Sequence, residues 1–381
     1  MYKGRVEGIV TGGAGIIRHE GKSVFIESTA PGDLAVFRIK NDHRSWAEGE
    51  LLELLEKSPL RTEPVCPLYG SCGGCSLQHL GYESQITAKA GILKDTFARI
   101  GGINSLPEIR IRRSAPYGYR NRFRFHTAGE GIGFKKRKSS GIAVAADCPV
   151  AEKGIRNALK EGELLPPPGR TSFSVYSRGK TFLCEGCTEK GSVSILGKEL
   201  AMDVKVFFQS NAEMLELLIT DLLAAASDAD RNFPMADVYC GVGTFASFLG
   251  EGPPTGIDLV EANKAALGIA KENMPPGCNV RYHALSDTDW VKSLAGKPRA
   301  KGKSWGFMVL DPPREGLSRL FREWLALNGP ELAAYVSCDP ATLARDSKIL
   351  VNGAYSLKEL AMYDFYPQTG HIESLALFNR K

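Results

Sequence analysis

Cys338 stands in Tyr335-Val336-Ser337-Cys338-Asp339-Pro340-Ala341-Thr342, where an apolar run stops at a Pro-led helical pattern. A thiol at the carboxyl end of a strand, opening a helix, can be exposed and have its thiolate favoured by the helix N-terminus. That is where a nucleophile belongs, although a strand-end cysteine also serves as a small buried hydrophobe. Two acids could work beside it. Asp311 ends the apolar run Gly306 to Leu310 and is followed by Pro312-Pro313-Arg314, whose prolines stiffen the backbone. Glu373 follows His371-Ile372; a carboxylate there is either half of an ion pair or a base. A separate constellation is rich in sulfur: Cys66-x5-Cys72-Gly73-Gly74-Cys75. Its glycines let the backbone fold tightly around a metal and aim N–H groups at sulfur. Zinc and a [4Fe–4S] cluster both ordinarily take four ligands, so a fourth has to come from elsewhere in the chain. Cys184 and Cys187 are a rival source, but a lone C-x-x-C pair also fits a hairpin corner.

These residues need a scaffold. Residues 1–57 read as a small β-domain, with alternating segments at Gly4 to Val10, Ser23 to Ile26, Leu34 to Ile39 and Trp46 to Leu55 between Gly-rich or Pro-Gly turns. Such strand density suggests an OB-type barrel, a common RNA-binding shape. Ser58 to Pro67 is a linker. Tyr82 to Ile100 is helical and stops at Gly101-Gly102, and residues 109–200 read mainly as strands. From about Phe207 helix and strand alternate: a helix over Asn211 to Ala226, a buried strand over Ala236 to Tyr239, and an αβ succession to the end. That order predicts a doubly wound α/β sheet. The boundaries expected are 1–57, 58–206 (its helix 82–100 packing on the last domain) and 207–381. Gly241 and Gly243, in Asp237-Val238-Tyr239-Cys240-Gly241-Val242-Gly243-Thr244, form a turn that lets a ligand approach the backbone.

Between Arg110 and Lys138 lie ten Lys or Arg residues and one acid, Glu130. Arg120, Arg122 and Arg124 alternate with Asn121, Phe123 and Phe125, so on a strand the arginines share a face. With Tyr117 and Tyr119 nearby for stacking, this is a phosphate footprint of the kind RNA requires.

Taken together and in order, these motifs resemble the RNA uracil-C5 methyltransferases, whose nucleophile sits in an SC[ND]PATLARD stretch. The N-terminal segment resembles the TRAM domain of RNA-modifying enzymes. The resemblance implies a Rossmann-like S-adenosylmethionine methyltransferase domain, an OB-like TRAM barrel and a central, mainly-β iron–sulfur domain. It implies a [4Fe–4S] cluster on Cys66, Cys72, Cys75 and Cys148, the last in Cys148-Pro149-Val150. It places S-adenosylmethionine on Gln209 (in Phe207-Phe208-Gln209-Ser210-Asn211), Tyr239, Gly241, Gly243, Thr244, Asp258 and Asp311, with Asp258 accepting the ribose hydroxyls. It makes Cys338 the nucleophile for uracil C6 and Glu373, in a segment like the family's H[IV]E[ST]-x-A-L, the base for the C5 proton. Asp339 stands where the family more often has Asn; its charge would raise the Cys338 thiol pKa unless it points away or pairs with Arg345. The TRAM-like segment with four cysteines is most similar to the 23S rRNA branch, with a tRNA T-loop uridine as the other substrate expected and a non-catalytic iron–sulfur RNA-binding protein as the other class.

Composition sets the bounds. With 381 residues the chain can fill two or three cores, and its 48 basic against 43 acidic residues leave a net charge of only +5, so RNA contact has to come from local clusters. Nine cysteines in a chain of this size argue against a disulfide framework. No apolar run reaches membrane-spanning length and no leader is legible at Met1, so a cytoplasmic monomer without membrane contact is the expectation.

Overall fold

The computed structural model describes residues 1–129, 131–251, 255–294 and 305–381. At the N-terminus, Tyr2–Arg5 and Gly8–Ile9 are halves of one strand bent at Val6 and Glu7. The first half pairs with Leu34–Asp42 and the second with Gly15–His19. Lys22–Ile26 bridges Gly15–His19 to Trp46–Glu56, which returns to Leu34–Asp42, so the sheet closes on itself as an OB-like barrel. Its interior alternates as a period of two requires, filled by Val6, Ile17, Val24, Ile26, Ala35 and Phe37.

The centre holds a five-stranded sheet ordered Ile142–Val144, Gly131–Lys135, Arg122–Ala128, Ser172–Arg178, Thr181–Cys184. Phe123, Phe125 and Phe173 pack from it onto helix Lys153–Lys160 through Ile155.

The C-terminal sheet has eight strands, ordered Val280–His283, Ile257–Val260, Met235–Val238, Phe307–Leu310, Leu332–Ser337, Glu373–Arg380, Tyr355–Tyr363, Ile109–Arg112. All are parallel except Glu373–Arg380. Successive residues serve opposite faces. Val309, Ala334, Val336 and Leu375 join the core with helices Ala212–Ser227, Thr244–Leu249 and Lys264–Asn273. Met308, Leu310, Ala333 and Tyr335 join that with Tyr82–Thr96, Arg319–Asn328 and Pro340–Asn352. Strands covered on both faces read as unbroken apolar runs, which is why they were legible in sequence.

Two segments inside the stretch 58–206 belong in space to the C-terminal sheet and its core. Ile109–Arg112 pairs with Tyr355–Tyr363 in the C-terminal sheet, and Arg112 grips buried Asp221 of helix Ala212–Ser227 at 2.6 Å. Hairpin Lys190–Ile195/Lys198–Asp203 also packs there, its Val193, Ile195 and Leu200 in the same core as helix Ala212–Ser227. Both segments are short and amphipathic, so sequence order attached them to the central strands while burial attached them elsewhere.

Candidate active site

The carboxyl ends of the parallel strands and the amino end of the antiparallel one meet at one edge of the large sheet. There they enclose a cavity of about 790 Å³. Gln209, Tyr239, Gly241, Thr244, Asp311, Cys338 and Glu373 all line it. Register explains the pairing of the reactive groups. Ser337 lies opposite Ser374 in the antiparallel ladder, so one step outward Cys338 faces Glu373. Val238 lies opposite Leu310 in the parallel one, which sets Asp311 beside Tyr239.

Each group is held locally. Cys338 follows its strand directly, and Asp339 caps the helix behind it, its carboxylate accepting the N–H groups of Ala341 and Thr342 at 2.9 Å each. The helix N-terminus is thus spent on Asp339 and not on the thiol, contrary to the expected thiolate stabilisation. Burial first, then the charges of Glu373 and Asp311, push the Cys338 thiol up to about 12. Asp339 is not among the causes, and Arg345 pairs with Asp346 at 2.8 Å instead. Burial also pushes Asp311 up to about 7. Burial and Asp311 raise Glu373 well above the usual carboxyl range, with Arg314 pulling the other way. Arg314 lies 3.4 Å from His371 Nδ1, and burial holds that imidazole down to about 4, so it is neutral at pH 7.

The turn after Met235–Val238 is shaped from beneath. Buried Asp237 accepts the Ala246 N–H at 3.0 Å, tying the glycine turn to helix Thr244–Leu249. Tyr239 takes a positive φ of 66° and donates its hydroxyl to Asp287 at 2.7 Å. Gly243, at φ 74°, does not line the cavity; a Cβ there would come 3.0 Å from Ala270, so this glycine serves close helix packing.

Asp258, like Gly243, is an expected site residue that does not line the cavity. It lies inside its strand, two positions before the end, and is absent from the cavity wall. Arg281 donates two bonds to it, His283 Nε2 lies at 2.8 Å and Trp305 Nε1 donates at 2.7 Å. Burial alone would raise its pKa, but these partners outweigh it and hold Asp258 down to about 2. Glu261, just past the strand, takes the cavity position, one oxygen accepting the Gly241 N–H at 3.0 Å and the other the Asn263 N–H at 2.6 Å. Its signal was present: it is the acid that follows the last apolar residue, Val260. Asp258→Asn is expected to cost about 3 kcal/mol of stability, as for a buried ion pair losing one partner. Because the folded pKa lies below the unfolded one, that stability is present above pH 4 and lost as pH falls toward 2. Thermal melts of Asp258→Asn and titrations of Glu261→Gln with S-adenosylhomocysteine separate the roles. Loss of affinity in Glu261→Gln without loss of melting temperature is the expected contrast, and the same loss confined to Asp258→Asn would reverse the assignment.

A second cavity, about 160 Å³, is lined by Cys66, Cys72, Cys75 and Cys148 together. Burial raises the Cys72, Cys75 and Cys148 thiols, the last to about 12, and the Gly74 N–H points at Cys72 Sγ from 3.4 Å. Among the described residues no three His, Cys, Asp or Glu are placed to hold a single metal ion. Cys184 and Cys187 lie elsewhere, at a turn where the Cys187 N–H donates to the Cys184 carbonyl. Arg120 lines both cavities, its guanidinium 4.9 Å from the Phe123 ring centre and 5.8 Å from that of Tyr366.

The basic stretch is largely committed to structure. Arg110 and Arg112 pair with Asp221, Arg113 with Glu83, and Arg137 and Lys138 with Glu27 of the barrel. Arg122 donates to the Val204 and Val206 carbonyls. Among the described residues, Arg120, Arg124, Lys135 and Lys136 have no carboxylate within ion-pair distance. The last three line a groove of about 430 Å³ with barrel residue Gly12, and His371 lies on both this groove and the active-site cavity. Among the described residues, no helix is long and apolar enough to cross a membrane.

This geometry has relatives. The profile of the tRNA (Uracil-5-)-methyltransferase family matches residues 188–381. An RNA methyltransferase of Treponema denticola, itself uncharacterized, is 32% identical, with 95% of this chain and 94% of that protein aligned. The Aeromonas hydrophila 23S rRNA (uracil(1939)-C(5))-methyltransferase RlmD is 30% identical, over 96% of this chain and 93% of its own. The Pyrococcus abyssi tRNA (uracil-54, C5)-methyltransferase, solved with S-adenosyl-L-homocysteine, superposes with a TM-score of 0.74 at 22% identity, covering 99% of this chain and all of that one. That likeness extends the methyltransferase fold over barrel, centre and sheet alike. A thiol, two acids and a glycine turn at the edge of such a sheet, with these relatives along nearly its whole length, place the chain in the S-adenosylmethionine-dependent RNA uracil-5-methyltransferase family.

Proposed function

We propose that this enzyme methylates C5 of a uridine in 23S rRNA, with Cys338 as nucleophile and Glu373 as base. The observation that carries the mechanism is the register that sets Cys338 across from Glu373 on a shared cavity. Uracil C5 is a weak nucleophile by itself. When the Cys338 sulfur adds to C6, the electron pair of the C5=C6 bond moves into the ring enolate and C5 becomes reactive. Gln209, Tyr239, Gly241, Thr244, Glu261 and Asp311 would hold S-adenosylmethionine, which when bound would supply an electrophilic methyl to C5 and leave as S-adenosylhomocysteine. Glu373 then takes the C5 proton, the C5=C6 bond re-forms, and the C6–S bond breaks to return the thiolate. Burial and the neighbouring Asp311 raise the Glu373 pKa, which makes its carboxylate a stronger base. Neutral His371 and the Arg314 guanidinium line the same cavity.

The four cysteines would hold the [4Fe–4S] cluster that the family resemblance implies: they line one cavity, and burial raises the Cys72, Cys75 and Cys148 thiols, so a cationic group there would favour their thiolates. A cluster there would cross-link the 66–75 loop to Cys148 and brace the RNA-facing hairpin. Arg124, Lys135 and Lys136, free of carboxylates and contiguous with the active site, supply the phosphate contacts. The target base has to leave its stack to reach Cys338, so flanking nucleotides need such a grip.

The choice of ribosomal RNA rests on relatives aligned over nearly the whole chain. Labelled methyl transfer to unmodified 23S rRNA and to unmodified tRNA, each followed by nucleoside mass spectrometry, tests it. 5-Methyluridine in 23S rRNA alone is the expected outcome. Label in tRNA alone would move the substrate to tRNA, and label in neither would leave an RNA-binding protein.

A further inference from the structure

Segment 364–372 carries Tyr366 and His371 into the active-site cavity and delivers the chain to Glu373. Its internal bonds are few: Thr369 bonds back to the Tyr366 carbonyl, and the His371 N–H donates to the Thr369 hydroxyl at 3.2 Å. The middle of the segment is held from outside. Gln368 has a φ of +69°, a left-handed backbone that a non-glycine residue keeps only where its surroundings over-determine it.

Polar groups supply that hold, most of them buried. The Gln368 carbonyl accepts the Ser76 and Leu77 N–H groups at 2.9 Å each. Its N–H donates to Gln85 Oε1 at 2.9 Å, while Gln85 Nε2 donates to Gln368 Oε1 at 2.9 Å. The same Gln85 nitrogen reaches the Leu77 and Leu80 carbonyls. Two residues on, the Gly370 N–H donates to Ser76 Oγ at 2.8 Å, and a Cβ on Gly370 would lie 2.4 Å from the Gly12 carbonyl carbon. The segment is therefore seated by helix Tyr82–Thr96, by the residues directly after Cys75 and by the barrel turn. Its own sequence does not dictate this path.

We propose that Gln85 and Gln368 are positioning residues for the base: their interlocked amides set where His371 and Glu373 stand against the bound uracil. The inference rests on Glu373 being the base. Displacement of a reacting group by about an ångström costs up to about 100-fold in rate, so a slackened segment slows proton removal more than RNA binding.

Gln368→Asn is the variant of choice, because Asn tolerates the left-handed backbone and keeps its N–H bond to Gln85 Oε1 but is too short for its side-chain oxygen to accept from Gln85 Nε2. Gln85→Leu breaks the lock from the other side. Turnover is expected to fall about 10- to 100-fold, with S-adenosylhomocysteine affinity and KM for RNA unchanged. Denaturing gels with labelled RNA should show more of the covalent Cys338–RNA adduct, since slow proton removal delays thiol expulsion. Wild-type turnover and adduct in folded Gln368→Asn would overturn the positioning role, and that variant decides alone if Gln85→Leu does not fold. The control is Glu373→Gln: no trapped adduct there would remove the base assignment, whereas trapped adduct there with an unaltered Gln368→Asn would overturn the positioning role only.

Discussion

Cys338→Ala is expected to reduce methyl transfer by roughly 10⁴- to 10⁶-fold, the scale on which enzymes lose rate when a covalent nucleophile is removed. The same variant should bind S-adenosylhomocysteine with unchanged affinity, because the cavity-lining groups proposed to hold the cofactor follow other strands: Glu261 after Ile257–Val260, Thr244 after the glycine turn. It should also form no adduct with RNA. The pH dependence follows from the signs of the shifts. The thiol is pushed up to about 12 and Asp311 to about 7, both by burial first. If both act as anions, acid removes the reactive form, so kcat/KM rises with pH from 6 to 9, by up to about tenfold per unit for each group titrating. A flat profile, or residual turnover within tenfold of wild type in Cys338→Ala, would show that the thiol does not attack.

Glu373→Gln is the other large effect, a turnover loss of about 10²- to 10⁴-fold. Glutamine matches the shape but cannot take the C5 proton, so addition and methyl transfer proceed while elimination stalls. Methylated RNA should then remain on Cys338 and run as a shifted band on denaturing gels. Stability moves the other way. Burial holds the Glu373 carboxyl well above its ordinary pKa, so its folded form resists ionisation. A carboxyl of this kind favours the folded state below its unfolded pKa, and that advantage is lost as pH rises through the folded value. A neutral amide removes the penalty, and the variant should melt at the same temperature as wild type or higher at pH 8. A drop in melting temperature with no trapped adduct would mark Glu373 as structural.

Much of this enzyme could be read from residues alone, for local reasons. Strands covered on both faces leave unbroken apolar runs, so the ends of Phe307–Leu310 and Leu332–Ser337, and with them Asp311 and Cys338, were visible. Caps at Asn211 and Asp339 act within three residues and were equally accessible. Acid position was harder. Asp258 and Glu261 are three residues apart, and only the packing of Arg281, His283 and Trp305 decided that one is a strut and the other faces the cavity. Charge misled in the same way: ten cations in a row looked like one RNA footprint, yet several are ion-paired to Asp221, Glu83 or the barrel. Such partners lie tens to hundreds of residues away, where no local pattern points. The pairing of Cys338 with Glu373 belongs to the same class. The family resemblance nominated them, but the antiparallel insertion of Glu373–Arg380 brought them face to face, because strand register is settled by burial along the whole ladder and not by the two residues at its end.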